Sequence, residues 1–259
     1  MIPTLKAEFK KLITIRSTYL WIGIALVILG IYGIYGEGFK DFADAGPNGV
    51  GSLFIDGTLI HVATFIALFS GIISLLLMSH EYRYNTIIYT ITASNSRTKV
   101  LFAKLLTIMA FTLVYAVTLT AIAIGFIFLG LGLAHHVLPH QDLNYLTYFV
   151  KSVFTAEGWA VAAFIFATLI RNQVGSFAAL FILPNTVEGL LGLILKHDAV
   201  YMPFTALSQV ISPATKAGAP DRIASTGYLS APRGALIFSG YIVVAWLVTW
   251  YLFLRRDAA

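Results

Sequence analysis

Cysteine is absent from all 259 residues. That excludes a disulfide framework, a thiolate metal site and a cysteine nucleophile. Charge is scarce too: only 11% of the residues are Asp, Glu, Lys or Arg, less than half of the roughly 25% found in soluble domains. Apolar residues make up 58% of the chain, with a mean hydropathy of +0.83. A chain this poor in charge is read as an integral membrane protein. A nucleotide-binding loop is also missing. No G-x-x-x-x-G-K-[ST] occurs, nor any Gly-Lys pair, so the chain has no P-loop of its own to cradle a phosphate.

A helix needs about 20 mostly apolar residues to cross the hydrocarbon core. Six segments qualify: Tyr19–Tyr35, Thr58–Met78, Leu105–Leu133, Phe149–Ile170, Val174–Leu195 and Ala235–Leu254. Their continuity favours helices, because barrel strands alternate polar and apolar residues in runs of about 10. The expected fold class is an all-α membrane protein, with residues 1–259 forming one six-span domain. Six spans place both ends on one side. With the termini cytoplasmic, eleven Lys and Arg and three acids fall inside, against six cations and seven acids outside. Positive charge favours the cytoplasmic side, so both termini are assigned there. The first apolar run is longer than a signal-peptide core and no A-x-A-like site follows "IYGIYGEGF". It is expected to be a permanent anchor.

Between the spans, several pieces have a readable character. Residues 3–18 are expected to form an interfacial helix. Leu5, Phe9, Leu12 and Ile13 share a stripe, with Lys6, Glu8, Lys10 and Lys11 at its sides and back. Such a helix lies along the inner membrane surface with its lysines toward anionic lipid headgroups. The acidic, glycine-rich piece Gly36–Gly57 is an outer loop. His135, His136 and His140 follow the overlong third span, but Pro139 interrupts the helix that would align His136 with His140. With only Asp142 nearby as a carboxylate, they are read as solvated loop histidines, and no metal site is assigned. "RNQ" at 171–173 is a tight turn. The outer segment 196–234 begins too apolar for a free loop and too short to span, so short helices dipping back beside the spans are expected.

The stretch "HEYRYNTIIYTITASNSRTKVLFAKLL", His80–Leu106, spends scarce charge between two of the most apolar runs. It reads as a helix over Glu81–Ile91, a polar break "TASNS", and a second helix opening near Arg97, capped by Ser94 or Ser96. A mere connector needs only a few residues, as "RNQ" shows, so a detour of this length points to a docking element. Its order of Glu81, Tyr82, Arg83, Thr86, Ser96, Arg97, Lys104 and Leu105 resembles E-[YF]-[RK]-x-G-T, then P-x-S-R, then K-L. That is the pattern of the first cytoplasmic loop in ABC exporter permeases, the class that includes the human G subfamily and bacterial drug and bacteriocin exporters. The chain departs at Asn85, where glycine is usual, and at Asn95, near the usual proline; asparagine tolerates left-handed backbone better than most residues.

The resemblance implies a coupling helix within 80–104 that docks on a separate ATPase subunit. It implies contacts through Glu81, Tyr82, Arg83, Asn85 and Thr86, with Arg97 bracing the loop. It further implies two ATPase copies, a second permease, identical or related, and ATP with Mg held by the partner subunit, leaving this chain without a cofactor. Nucleic acid is not an expected partner, and the plasma membrane is the expected location. A permease-like sensor or immunity component that binds its ligand without moving it fits the same features.

Glu157 and Glu188 are the acids inside the proposed spans, at matching depth on neighbouring helices, and Pro184 is expected to kink the helix before Glu188. An intramembrane acid usually faces a partner or a cavity. Glu157, Glu188 and Asn185 are therefore candidates for the substrate path, although both acids could instead sit near headgroups or be paired. An intramembrane serine protease would need a serine facing a histidine. Ser70, Ser74 and Ser176 are available, but only His61 lies within a span, near its end.

Overall fold

The computed structural model describes residues 2–35, 51–135, 144–211 and 229–256, with side chains from residue 59 onward in the second stretch. The tip of the acidic loop, His136, His140 and Asp142, and the second half of the outer segment lie outside the described residues. Every described element is helical. The N-terminal helix α1 (Ile2–Thr14) leads through Ile15 into α2 (Arg16–Gly30). Next come α3 (Gly51–Arg83), the short α4 (Ile87–Ser94) and the long α5 (Arg97–Leu133). Then α6 (Tyr145–Ile170), α7 (Gln173–Ile182) and α8 (Glu188–Leu195) precede α9 (Pro203–Ile211) and α10 (Ala231–Arg255). Six stretches are long and apolar enough to cross a membrane: Arg16–Tyr35, Leu59–Arg83, Arg97–Leu133, Tyr145–Ile170, Gln173–Tyr201 and Ala231–Arg255. They are spans 1 to 6 of a multi-pass membrane protein.

Span 2 is the centre of the bundle and is mostly buried, whereas spans 1, 5 and 6 turn most of their surface outward. Its partner is span 4, and small residues explain how closely the two lie. Ala156, Ala160, Ala163 and Ala167 recur every three or four residues on α6 and have no exposed surface. Within lipid such a seam lets backbones approach and opens carbonyls to hydrogen bonds from the neighbouring helix. The Ser74 hydroxyl donates to the Ala160 carbonyl at 2.6 Å, and that of Ser70 reaches the Ala156 carbonyl at 2.8 Å. Ser176 donates within its own hairpin, to the Asn172 carbonyl at 2.7 Å. All three serines considered for nucleophilic chemistry are thus spent on backbone carbonyls.

Several boundaries move. The helix of span 2 was expected to end at Met78 but runs to Arg83, and that of span 3 begins at Arg97, eight residues before Leu105. Apolarity marks only the part of a helix inside lipid, while i→i−4 hydrogen bonds carry it on into water. The expected helix over Glu81–Ile91 is therefore two pieces, broken where Asn85 takes a left-handed φ of 53°. Asn95 does the same at φ 51°, ending α4, and Ser96 caps α5 by accepting from the Lys99 amide. Pro184 interrupts span 5 as expected, through a π-turn over Leu183–Val187. The outer segment dips back as α9, which buries Ala206, Leu207, Val210 and Ile211. Gly234 of α10 lies so close to α9 that a Cβ there would stand 2.5 Å from the Ala206 carbonyl oxygen.

Candidate functional site

The basic end of the bundle gathers α1, the end of α3, α4 and the start of α5 around four charges. Lys104 enters from α5 with no exposed surface. Its Nζ lies 2.6 Å from Glu8 Oε2 on α1 and 2.6 Å from Glu81 Oε1 on α3. Lys11 closes the ring from above, 3.0 Å from Glu8 and 2.8 Å from Glu81, and donates to the Thr90 hydroxyl of α4 at 3.2 Å. Two lysines and two glutamates make a neutral set, the condition under which a buried ammonium is tolerated. Burial alone would lower the Lys11 pKa, but its hydrogen bonds and proximity to Glu81 and Glu8 outweigh that and hold it above the ordinary lysine value.

Above the quartet stands the loop. Glu81 departs from its expected outward role, because the helical register of α3 turns its carboxylate in to Lys104. Tyr82 also turns inward, its ring 5.6 Å from the Arg171 guanidinium. Arg83, Tyr84, Asn85 and Thr86 are exposed, as are Ile88 and Tyr89 on α4, while Ile87 anchors that helix in the core. Arg83 donates to Gln173 at 3.1 Å, so the "RNQ" turn clasps the loop as well as joining two spans. Arg97 braces a different element from the one expected. Its guanidinium donates to the Arg256 carbonyl at 2.5 Å and is 3.4 Å from that of Leu254, holding the end of span 6.

At the opposite end the three path candidates part company. Asn185 lines a cavity of about 280 Å³ with Thr64, Thr155, Trp159, Phe204 and Ser208. Glu188 is buried and caps α9, accepting from the Phe204 amide at 2.8 Å, the Thr205 amide at 2.7 Å and the Thr205 hydroxyl at 2.8 Å. Its carboxylate is thus fully engaged in structure. Glu157 lines no part of that cavity, and its Oε2 is buried with no hydrogen-bond partner among the described residues. Replacing Glu188 with alanine orphans the α9 amides and is expected to cost about 1–2 kcal/mol, seen as a lower thermal midpoint of the purified protein. Glu188→Gln, which keeps an acceptor, should recover part of that loss.

The profile of the ABC-2 family transporter protein matches residues 4–185, from α1 to the π-turn of span 5. The chain belongs to the ABC-2 transporter family. Among curated proteins none matches it. As an ABC-2 permease it is a transmembrane component of an ABC transporter, and the matched region contains the whole quartet and the loop above it. Lys104 stood in the motif, but Glu8, Lys11, Thr90, Arg171 and Gln173 were not read as site residues. Charge parity was the available signal. The segments that the sequence assigns to the inner side carry three acids, Glu8, Glu81 and Asp257, and a lysine placed among apolar residues needs one of them.

Proposed function

We propose that this permease is one half of the membrane part of an ATP-driven exporter. In this reading the basic end faces the cytoplasm of a plasma membrane, with both termini inside. A separate ATPase subunit, two copies per transporter, docks on the exposed ridge formed by Arg83–Thr86, Ile88 and Tyr89. That ATPase holds ATP and Mg, and a second permease, identical or related, completes the path. The observation that carries the reading is the ridge itself: α4 exposes Tyr89 by 76% while Ile87 beside it is anchored. It is an apolar and basic contact surface rooted in a rigid charge set. Motion imposed on α4 reaches Lys11 through Thr90, and from Lys11 passes to α1, α3 and α5. Export as the direction, and the docking itself, rest on the family resemblance.

The test is co-purification from native membranes followed by transport. Tagged wild-type protein is expected to bring down a stoichiometric ATPase of separate sequence. Tyr89→Ala combined with Ile88→Ala should reduce that recovery at least tenfold without changing the elution or melting of the permease, because both side chains are exposed. Well-folded wild-type protein that captures no ATPase would overturn the reading. Ligand-stimulated ATP hydrolysis without vesicle transport would replace the exporter with a sensor.

A further inference from the structure

On the outward side of α1 lies a groove of about 680 Å³ that neither the quartet nor the docking ridge uses. Its α1 wall is the apolar stripe Leu5, Phe9 and Ile13, and its α5 wall is Leu106 and Ala110, just past Lys104. Lys6 and Lys10 stand on its rim, one helical turn apart and exposed. Neither has a salt bridge among the described residues, in contrast with Lys11 and Lys104. Around the α1 axis the order is Glu8 and Leu12 toward the bundle, then the apolar stripe, then the two lysines, as 100° per residue dictates.

We propose that this groove is a binding site for one anionic glycerophospholipid, with an acyl chain between α1 and span 3 and the phosphate between Lys6 and Lys10. Charge and position select the occupant. The α5 wall belongs to a membrane span, so hydrocarbon chains are the medium that reaches it. Two unpaired ammonium groups above an apolar slot match a phosphate above its acyl chain. A second copy of the chain would bring the same lysine pair and repel it. The lipid would pack against the turn that follows Lys104, so its presence would set the distance between α1 and α5. The inference does not depend on the transport reading, since it concerns binding alone.

The experiment is native mass spectrometry of the full chain in uncharged detergent, titrated with phosphatidylglycerol or phosphatidylcholine of the same acyl composition. The wild type is expected to bind the first phosphatidylglycerol at least tenfold more tightly than phosphatidylcholine. Lys6→Gln with Lys10→Gln should bring phosphatidylglycerol down to the phosphatidylcholine level. Ala110→Phe, which fills the groove from an exposed position, should weaken both lipids about tenfold; Leu106→Trp does so from the rim if the first variant fails to fold. Lys99→Gln, an exposed lysine outside the groove, should change nothing. Equal wild-type affinity for the two lipids overturns the proposal. So does wild-type binding by either groove variant, or a loss in Lys99→Gln matching that of the rim pair.

Discussion

Lys104→Met is expected to destabilise the protein by roughly 3–5 kcal/mol, the usual cost of stranding a buried charge. The thermal midpoint should fall by on the order of 10 °C. The reason is specific to this ring. Among the described residues Lys104 is the only partner of Glu8 Oε2, and it shares Glu81 Oε1 with Lys11. Its removal leaves one lysine for two buried carboxylates. Adding Glu8→Gln restores neutrality as a Lys11–Glu81 pair, and the double variant should regain more than half of the loss. A double-mutant cycle checks this, because residues that act as a unit give a coupling well above the additive error of about 0.5 kcal/mol. Additive losses would mean that the four charges are held independently.

Ala160→Leu is expected to be the most damaging apolar change. Ala160 has no exposed surface, and its carbonyl accepts the Ser74 hydroxyl across the small-residue seam between spans 2 and 4. Overpacking a dense site costs about 1–3 kcal/mol. Separating the helices also forfeits the two serine bonds, at about 0.6 kcal/mol each. Ser74→Ala should cost only about 0.6 kcal/mol, since it removes one bond and leaves the spacing intact. Thermal midpoints and the yield of monodisperse protein compare the two variants directly. Equal effects would show that spans 2 and 4 do not depend on close approach at this level.

Hydropathy made the six spans legible, because apolarity sums over a long window and needs no knowledge of neighbours. Local backbone chemistry was legible for the same reason. Asn85 and Asn95 accept a left-handed φ, Ser96 caps, and Pro184 breaks its helix. What the residues did not disclose was azimuth. Counting along the chain put Glu157 and Glu188 at equal depth, but depth says nothing about facing. The π-turn over Leu183–Val187 inserts a residue into the helix, and one residue turns everything after it by about 100°. Glu188 thereby faces the amides of α9 instead of a shared patch with Glu157. Arg97 shows the other limit, since its carbonyl partners at Leu254 and Arg256 lie more than 150 residues away. The quartet combines the two, with partners 23 and 96 residues from Lys104 in sequence.

Span 3 is a single unbroken helix of 37 residues without proline. At 1.5 Å per residue it is a rod about 55 Å long, well over the roughly 30 Å of hydrocarbon. Among the described residues it is tethered to span 4 by the hydrogen bond between the Thr120 and Ser152 hydroxyls, 2.8 Å long. That contact divides the rod into arms of about 35 Å toward Arg97 and about 20 Å toward Leu133. Were the tether a fulcrum, a push at Arg97 would emerge at Leu133 reversed in direction and reduced to a little over half. Span 5, jointed at Pro184, has no such leverage.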